Sequence, residues 1–409
     1  MKRVVVTGAS AISAIGNDWA TVRRHLASGR NAVVRMPEWG EIRGLNTQLA
    51  APVPPFTLPP HYTRKRTRTM GRVSLMAVLA TEAALADAGL TGHPLVTGGQ
   101  MGIAYGSSTG TPSAVQDFAR MMSERTTEGV NGTTYIRMMP HTAAVNIGVF
   151  FGVKGRILTT SSACTSGSHG IGYAYEMIRM GRQVAMLAGG AEELDATEAA
   201  VFDTLFATST RNDSPEATPR PFDAGRDGLV LGEGACTLVL EELEHARQRG
   251  APILAEVVGY GTNSDGVHVT QAHTGTMALA MRMALDDAGL VPEQIGYVNA
   301  HGTATEQGDI AESHATHAVF GSRMPISSLK SYLGHTLGAC GALEAWMTIE
   351  MMRDGWFAPT INLESPDPRC AQLDYIMGDG RHIDTGCVMS NNFAFGGINT
   401  SLVFRRWND

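Results

Sequence analysis

The chain has 409 residues and a formal net charge of −7, and 43% of its residues are hydrophobic against 17% charged. This length exceeds one ordinary domain of roughly 100–200 residues, and the composition excludes a disordered, solvating or coiled-coil protein. The negative charge argues against a surface built to coat nucleic acid. We therefore expect a large globular fold without a nucleic-acid partner.

The five cysteines are odd in number, lie far apart and include no Cys-x-x-Cys pair, so they indicate neither a disulfide framework nor a zinc site. A reducing cytoplasm is the expected location. The opening MKRVVVTGASAISAIG predicts a β-strand rather than a signal peptide, because polar residues interrupt its apolar run. The longest uncharged apolar stretch, residues 138–153, falls short of the roughly 20 residues of a membrane span, so no membrane crossing is expected.

Two matched units indicate an internal duplication. AALADAGL in the first part of the chain recurs as MALDDAGL in the second, and each copy is followed by an apolar strand. A longer unit at 156–181 is matched at 325–355, since both run strand, small-residue turn, helix and glycine stop. Strands that alternate with helices indicate βαβ units and a largely parallel sheet. The sequence therefore predicts an α/β fold of two similar halves, residues 1–250 and 251–409.

Two further segments differ in composition from the rest of the chain. A proline-rich connector at 51–60 leads into a dense basic cluster, which we call the basic cluster and which consists of Arg64, Lys65, Arg66, Arg68 and Arg72. Such a cluster is either a solvated face or a docking surface for an acidic partner. The segment 208–227 is rich in proline and aspartate, which predicts a long surface excursion.

Cys164 lies in SSACTSG at a predicted junction between a strand and a helix. Small neighbours permit a sharp turn there, and the helix N-terminus favours the thiolate and lowers the thiol pKa. The following helix is rich in glycine and alanine and nearly free of charge, so we expect it to be covered on all sides. Cys164 is the candidate nucleophile, whereas the other four cysteines are interpreted as small buried hydrophobic residues.

A nucleophilic cysteine needs polar partners, and two histidines occur in glycine-flanked loops after apolar strands. They are His301 in NAHGTATEQGD and His335 in KSYLGHTLGACG. A single loop histidine is usually structural, but these two occupy matched turns of the second half. Because α/β sites form where such turns meet at one end of the sheet, we expect both histidines to face Cys164.

At SSACTSG, HGTAT and GHTLGA the chain resembles the β-ketoacyl-acyl-carrier-protein synthases, the elongating condensing enzymes of the thiolase superfamily. The resemblance continues through PRPFDAGRDGLVLGEGA, Lys330 and SNNFAFGGINTSLVF, and so covers essentially the whole chain. His335 favours the elongating branch, since starter-condensing relatives would carry asparagine there. The resemblance implies a thiolase-like fold, with duplicated βαβαβ halves in a five-layered αβαβα sandwich, and a dimer that pairs along residues 156–164.

The resemblance also implies a reaction. Cys164 would accept an acyl chain from an acyl carrier protein, with the backbone N–H groups of Cys164 and Phe395 as the oxyanion hole. His301 and His335 would stabilise the enolate that forms when malonyl-carrier protein loses carbon dioxide. The product would be a β-ketoacyl chain two carbons longer, as in fatty acid elongation, and the reaction needs no redox cofactor or catalytic metal.

Supporting roles follow from the same resemblance. Lys330 and Glu344 would be a charged pair that holds the histidines, Phe395 a gate beside the cysteine, and Asp309 a residue behind the site. Three further groups are implied: phosphopantetheine contacts at Thr303 and Thr305; carrier-protein docking at Arg64, Lys65, Arg66 and Arg68; and a structural monovalent cation near Asn299, Glu312, Glu344, Ser390 and Asn391.

Departures from the family concern the substrate. Ser108 and Thr109 are polar where many fatty-acid synthases line the acyl tunnel with apolar residues, and Asn392 and Ala394 replace the usual Ser and Gly of the gating loop. A specialised polyketide or aryl-polyene ketosynthase therefore remains an alternative. A catalytically inactive chain-length subunit is a second one, although such subunits lack the cysteine. A heterodimer with a related subunit is an alternative to the homodimer.

Overall fold

A computed structural model describes residues 1–408 of the chain. The strands within these residues are β1 (Val4–Ser13), β2 (Val34–Arg35), β3 (Leu49–Ala51), β4 (Met101–Gly106), β5 (Ile157–Thr159), β6 (Ala185–Glu192), β7 (Leu231–Gly232), β8 (Gly234–Glu242), β9 (Ala255–Ser264), β10 (Tyr297–Asn299), β11 (Pro325–Ser327), β12 (Trp356–Phe357), β13 (Asp374–Tyr375), β14 (Arg381–His382), β15 (Cys387–Ala394) and β16 (Ile398–Arg406).

The helices complete the alternating pattern that the sequence predicts. They are α1 (Trp19–Ala27), α2 (Arg64–Thr67), α3 (Arg72–Asp87), α4 (Pro94–Thr97), α5 (Pro112–Glu124), α6 (Gly132–Met138), α7 (Thr142–Phe151), α8 (Ser166–Arg179), α9 (Ala196–Asp203), α10 (Leu243–Gln248), α11 (Thr274–Ala288), α12 (Glu306–Phe320), α13 (Lys330–Leu333) and α14 (Cys340–Asp354). No helix among residues 1–408 has both the length and the apolar character needed to cross a bilayer.

Eleven strands are hydrogen-bonded in the order β13-β11-β10-β15-β16-β9-β1-β8-β6-β4-β5. The run β1-β8-β6-β4-β5 from the first half matches β9-β16-β15-β10-β11 from the second, with the same parallel and antiparallel pairings. The two runs join where Val4, Val5 and Val6 pair with residues 255–257. The duplication is confirmed, and the division at residue 250 stays a prediction.

The expectation of a largely parallel sheet is wrong. β8 and β16 run antiparallel to both of their neighbours, so the sheet is mixed. The reason for β16 is local: only Phe395, Gly396 and Gly397 separate it from β15, and so short a connection forms a hairpin. The positive φ angles of both glycines allow that turn.

The elements stack in five layers, in which the strands of each half form one of the two β layers. α8 packs on β4 and β6, and α14 packs on β8 of the first half and on β15 of the second. On the outer faces α3 covers β1 and β8, while α11 covers β9 and β16. This α, β, α, β, α arrangement confirms the predicted sandwich, with α8 and α14 as its central layer.

Small residues let α8 lie directly on the sheet. A Cβ atom at Gly170 would come within 2.7 Å of the carbonyl oxygens of Ala104 and Gly189. A larger residue there would therefore push the helix away from β4 and β6. Most residues of α8 are buried, as the lack of charge predicts. The start of this helix is thus held rigidly in the middle of the molecule.

The segment 208–227 is an irregular loop, as its composition suggests, but only part of it lies at the surface. Phe222 is fully buried in the core of the second half. The Asp223 carboxylate accepts hydrogen bonds from the backbone amides of Gly225, Glu364 and Ser365. At Asp223 the polar groups of the loop are therefore satisfied internally, rather than by water.

Candidate active site

Cys164 lies in a tight turn just before α8. Ala163 has a φ of 51°, which is unusual for a residue with a side chain. Side-chain hydrogen bonds hold the turn: the Ser166 hydroxyl accepts from the Ser162 amide at 3.0 Å and donates to the Ala163 carbonyl at 2.7 Å. The cysteine is therefore presented by a strained but well-supported turn at the N-terminus of the central helix.

His335 lies against the cysteine, and its hydrogen bonds define its tautomer. Its Nε2 is 3.0 Å from Cys164 Sγ, while its Nδ1 accepts a hydrogen bond from the Leu337 amide at 3.3 Å. Because Nδ1 accepts, the ring proton is on Nε2, and His335 donates towards the sulfur. The backbone of His335 is fixed in turn, since its amide donates to the Val230 carbonyl at 2.7 Å.

His301 follows β10 and is held by a carboxylate. The Glu312 side chain accepts the backbone amides of His301 and Gly302, each at 2.7 Å. The His301 and His335 rings are perpendicular, with centroids 5.1 Å apart. Within the described chain the His301 Nδ1 atom has no hydrogen-bond partner, so part of its hydrogen-bonding capacity is free.

Both histidines are neutral in this site. Burial, together with the positive charge of Lys330, holds their pKa values well below the ordinary range. Lys330 is itself fully buried and forms an ion pair with Glu344, whose other oxygen accepts from Asn392 at 2.8 Å. Burial lowers the pKa of Lys330, but Glu344 outweighs that effect and keeps the ammonium charged.

The expectation that the helix lowers the pKa of Cys164 is wrong. Burial raises the pKa of this thiol to about 11, although Lys330 and hydrogen bonds from the backbone amides of Phe395 and Cys164 partly oppose the effect. Desolvation is the largest influence on the thiol pKa, and the resting thiol is neutral. The same contacts place both predicted oxyanion-hole amides against the sulfur.

The cysteine and the two histidines bring one ligand atom each within 4.8 Å of one another, as a zinc site would. A metal ligand must offer the lone pair of its nitrogen, and Nε2 of His335 carries a proton because Nδ1 is occupied by the Leu337 amide. The donor set therefore fits hydrogen bonding to a substrate better than a metal ion.

The residues predicted to surround a monovalent cation are buried together. Asn299 donates to the Ser390 hydroxyl at 3.2 Å. Within residues 1–408 the side-chain oxygens of Asn299 and Asn391 have no hydrogen-bond partner. Buried, unpaired amide oxygens are suitable ligands for a hard cation, so this set fits the ion that the resemblance implies.

A pocket of about 430 Å³ opens above the cysteine. Cys164, His301 and His335 line it together with Thr303 and Thr305, whose hydroxyls are 2.8 Å apart. The resemblance alone identified these threonines, and the structure brings them to the pocket wall.

Two aromatic rings close one side of this pocket. Phe395 is half-buried, and its ring lies 5.2 Å from that of Phe202 between centroids. Phe202, on α9, was not identified from the sequence, because a phenylalanine in an ordinary helix carries no signal of a site.

Two groups of predicted residues lie elsewhere. Ser108 and Thr109 are not among the residues that line the pocket, since their groups bond to the buried carboxyl groups of Glu192 and Glu198. Asp309, as expected, lies behind the site, where it accepts the amides of Phe222 and Ala304.

The basic cluster is only partly a surface patch. Arg64, Lys65 and Arg68 are exposed. Arg66 is also exposed, but its guanidinium lies over the Phe150 ring and donates to the Phe150 carbonyl at 2.8 Å. Arg72 is partly exposed, but it is not a free surface charge, since it pairs with the buried Glu233 carboxylate at 2.6 Å.

Comparison with known proteins agrees with this geometry. The N-terminal domain of the β-ketoacyl synthases matches residues 1–246, and their C-terminal domain matches residues 254–364. The chain is 37% identical over 413 residues to 3-oxoacyl-[acyl-carrier-protein] synthase 1 of Haemophilus influenzae, and the alignment covers 100% of both chains.

Two solved structures are similar over their full length. A β-ketoacyl synthase from Burkholderia phymatum is 61% identical, with a TM-score of 0.99 and 100% of both chains covered. A type II polyketide ketosynthase, solved in complex with its acyl-carrier protein, is 31% identical, with a TM-score of 0.88, and covers 99% of this chain and 100% of that one. The chain belongs to the β-ketoacyl synthase family.

Proposed function

We propose that this chain is a 3-oxoacyl-[acyl-carrier-protein] synthase, in which Cys164 holds the growing acyl chain. The observation that carries the proposal is the surroundings of one sulfur atom. The Cys164 sulfur contacts a histidine that donates through Nε2 and faces two backbone amides, at a pocket that a second histidine also lines. This arrangement supplies a nucleophile and two separate sets of oxyanion donors.

The first step is transfer of an acyl group from a carrier-protein thioester to Cys164. The sulfur attacks the thioester carbonyl, and the amides of Cys164 and Phe395 stabilise the oxyanion that forms. The carbon–sulfur bond to the carrier then breaks, and the cysteine proton leaves with the carrier thiol. Since one thiol replaces another, the step consumes no proton overall.

The second step is loss of carbon dioxide from a malonyl thioester. His301 and His335 donate hydrogen bonds to its thioester carbonyl, and negative charge collects on that oxygen as the carbon–carbon bond breaks. Their low pKa values keep both rings neutral, so neither can protonate the enolate prematurely.

In the third step the enolate carbon attacks the acyl thioester on Cys164. The backbone amides of Cys164 and Phe395 stabilise the tetrahedral oxyanion that this attack forms. The sulfur then leaves as a thiolate, and a proton from solvent restores the thiol. The product is a 3-oxoacyl thioester two carbons longer. The relatives named 3-oxoacyl-[acyl-carrier-protein] synthase favour fatty acid elongation as its context.

Several side chains position this machinery. Lys330 and Glu344 form a buried ion pair whose charges set the electrostatic potential at the two histidines. Glu312 accepts the backbone amide of His301 and so holds its loop. A monovalent cation beside Asn299 and Asn391 would satisfy their buried oxygens and hold the histidine loop in place. These are positioning roles, because the groups do not touch the reacting atoms.

The substrates would arrive on an acyl carrier protein. Thr303 and Thr305 line the pocket and would contact the phosphopantetheine arm, and exposed Arg64, Lys65 and Arg68 suit an acidic carrier surface. The structural relative in complex with its own acyl-carrier protein supports this partner.

A homodimer is the assembly we favour. β5 is the edge strand of the sheet, and Ile157 on it is 40% exposed. An exposed edge strand can pair with the same strand of a second copy. A heterodimer with a related subunit stays the alternative.

The experiment that tests the proposed function is intact-protein mass spectrometry after incubation with acyl-carrier proteins, together with release of carbon dioxide from malonyl-carrier protein. We expect an acyl adduct that peptide digestion maps to Cys164, and decarboxylation that needs both histidines. An adduct on another cysteine, or no adduct with any chain, would contradict the proposal. A polyketide or aryl-polyene ketosynthase is the second candidate, favoured by the similarity to a type II polyketide ketosynthase.

A further inference from the structure

A third buried histidine takes no part in the steps above. His169 lies in the first turn of α8, is 6% exposed and does not line the pocket. Its Nδ1 is 2.7 Å from the Ser162 hydroxyl oxygen, and its Nε2 is 3.1 Å from the Thr262 hydroxyl oxygen. Burial lowers the pKa of His169 to about 4, so at neutral pH the ring is uncharged, and one nitrogen donates while the other accepts. The ring therefore bridges two hydroxyl groups.

The two hydroxyl groups belong to different parts of the fold. Ser162 begins the turn that presents Cys164. Thr262 is near the end of β9, and this strand leads directly into the loop whose Asp265 lines the pocket. His169 thus connects the cysteine turn of the first half to a strand of the second half.

Packing holds the His169 ring in one orientation. The Tyr173 ring stacks on it, with centroids 4.9 Å apart and planes 13° apart. Tyr260, on β9, meets Tyr173 edge-on at 6.1 Å between centroids. Gly172 leaves the space for Tyr260, because a Cβ atom there would come within 2.3 Å of the Tyr260 ring. Stacking and two hydrogen bonds make this histidine a rigid link between α8 and β9.

The shape of the cysteine turn depends on Ser162. Ala163, directly after Ser162, has a φ of 51°, and a conformation of this kind persists only where the surroundings hold it. The amide of Cys164 is one of the two donors against the sulfur. A displacement of Ser162 would therefore move both the nucleophile and one donor of the oxyanion hole.

We propose that His169 is a positioning residue for acyl transfer. By holding the Ser162 hydroxyl against α8 and β9, it keeps the sulfur and the amide of Cys164 aligned for attack on an acyl thioester. This inference rests on the proposed function and adds to it a residue outside the pocket. A misplacement of about 1 Å in a reacting group can slow a reaction about 100-fold.

The two histidines of the pocket have supports of their own. Glu312 accepts the backbone amide of His301, and the amide of His335 donates to the Val230 carbonyl. Neither support involves the His169 ring. Loss of that ring should therefore slow acyl transfer and spare the loss of carbon dioxide from a malonyl thioester.

The test measures both half-reactions in the same variants, with the octanoyl and malonyl thioesters of N-acetylcysteamine as probes. His169→Phe keeps an aromatic ring for Tyr173 and removes both hydrogen bonds. We expect octanoyl transfer to Cys164, followed by mass spectrometry, to slow about 10–100-fold, and release of carbon dioxide to stay within about twofold. His169→Asn should recover most of the transfer rate, because its amide places a polar atom near the position of Nδ1.

Ser162→Ala removes the same hydrogen bond from its other end. This variant should also slow octanoyl transfer and spare decarboxylation. The double variant, His169→Phe with Ser162→Ala, should be no slower than the slower single variant, since both changes remove one shared contact. Because alanine is small, this arm keeps the inference testable even where phenylalanine at position 169 prevents folding.

Tyr175→Phe is the matched control. Tyr175 also lies on α8, and its hydroxyl is 3.2 Å from the Val258 carbonyl oxygen of β9 and 3.0 Å from the Asp287 carboxylate. The variant thus loses a link between α8 and the second half that does not involve Ser162. Its Tm should fall, and its ratio of octanoyl transfer to decarboxylation should stay within about twofold of the unmodified ratio.

Three results would overturn the inference while leaving the proposed function intact. The first is an unchanged ratio of the two rates in His169→Phe or in Ser162→Ala. The second is a double variant whose losses simply multiply, which would show that the two residues act independently. The third is an equal change of the ratio in Tyr175→Phe, which would make the effect one of general stability. If octanoyl does not label Cys164 even in the unmodified protein, the proposed function fails and this inference fails with it.

Discussion

Each of the two central helices has a cysteine at or just before its N-terminus, and the two thiols lie in contrasting surroundings. Cys164 lies two residues before Ser166, the first residue of α8, and Cys340 is the first residue of α14. Cys164 lines the pocket and meets His335 and two backbone amides. Cys340 is fully buried, and its thiol donates to the Cys164 carbonyl at 3.2 Å.

A helix N-terminus is common to both cysteines, so it does not explain the difference between them. Burial raises the pKa of both thiols, and for Cys340 the rise is large. What distinguishes Cys164 is access to a cavity and donors that stabilise charge on its sulfur and on a bound carbonyl. In this fold the nucleophile is defined by its surroundings in the assembled molecule, rather than by its place on the helix.

The strongest test of this contrast is Cys164→Ala. We expect acyl transfer and condensation to fall by on the order of 10⁴-fold or more, because the covalent intermediate cannot form. Activity is measured as 3-oxoacyl product formed, and circular dichroism serves as the check on folding. Retention of appreciable condensation would mean that another residue carries the acyl chain.

His335→Ala and His301→Ala test the donors. Each should reduce decarboxylation of malonyl-carrier protein by about 10²–10³-fold, since each removes one stabilising donor from the enolate. Acylation of Cys164, followed by mass spectrometry, should persist at a reduced rate because the backbone amides remain. Decarboxylation at the unmodified rate in His335→Ala would show that the enolate forms elsewhere.

The pH dependence of alkylation sharpens the comparison of the two thiols. The pKa of Cys164 is raised to about 11, so the thiolate fraction below that value increases with pH. The rate of iodoacetamide labelling at Cys164 should therefore rise about tenfold for each pH unit between about 7 and 9. Cys340 should remain unlabelled in the same peptide digest, and a plateau near pH 7 would contradict the raised pKa.

Cys340→Ala should have the smallest effect. Condensation is expected to stay within about twofold of the unmodified rate, because Cys340 contributes through packing and through two hydrogen bonds, one to the Cys164 carbonyl and one from the Asn392 amide. Loss of the buried sulfur should lower the free energy of unfolding by about 1 kcal/mol, measured by urea denaturation. A loss of activity comparable to that of the histidine variants would give Cys340 a direct role.

Much of the architecture could be predicted from the sequence. The repeated strand–turn–helix units at 156–181 and 325–355 correspond to matched strands and to the two central helices. Glycine and alanine enrichment correctly indicated the covered position of α8. The sheet direction was missed, because the periodicity of a strand carries no information about the direction of its neighbours.

The site could be predicted in part. Cys164, His301 and His335 were found because each follows a strand in a small-residue turn, and turns of this kind meet at one end of an α/β sheet. The thiol pKa could not be foreseen, since it depends on how completely water is excluded from the sulfur. Likewise, the sequence places Arg72 in the basic cluster, and its ion pair with the buried Glu233 could not be predicted because the two residues are far apart in the chain.

The buried glutamates Glu192 and Glu198 also could not be predicted from the sequence. Glu192 ends an apolar strand and Glu198 lies in a short helix, and in the sequence both resemble ordinary charged surface residues. Only the approach of Thr109 and Gly338, from distant parts of the chain, makes them a buried pair. Long-range contacts of this kind leave no local pattern.

The pairing of β1 has a consequence for how the protein is made. β1 pairs with β8, which begins 230 residues later in the chain (Val4 to Gly234), and with β9, which follows β8. At a synthesis rate of about 5–20 residues per second, this apolar strand waits roughly 10–50 s before its neighbours leave the ribosome. An unpaired strand is a template for aggregation during that interval. Nascent chains of this protein should therefore need protection by chaperones until the second half begins to emerge.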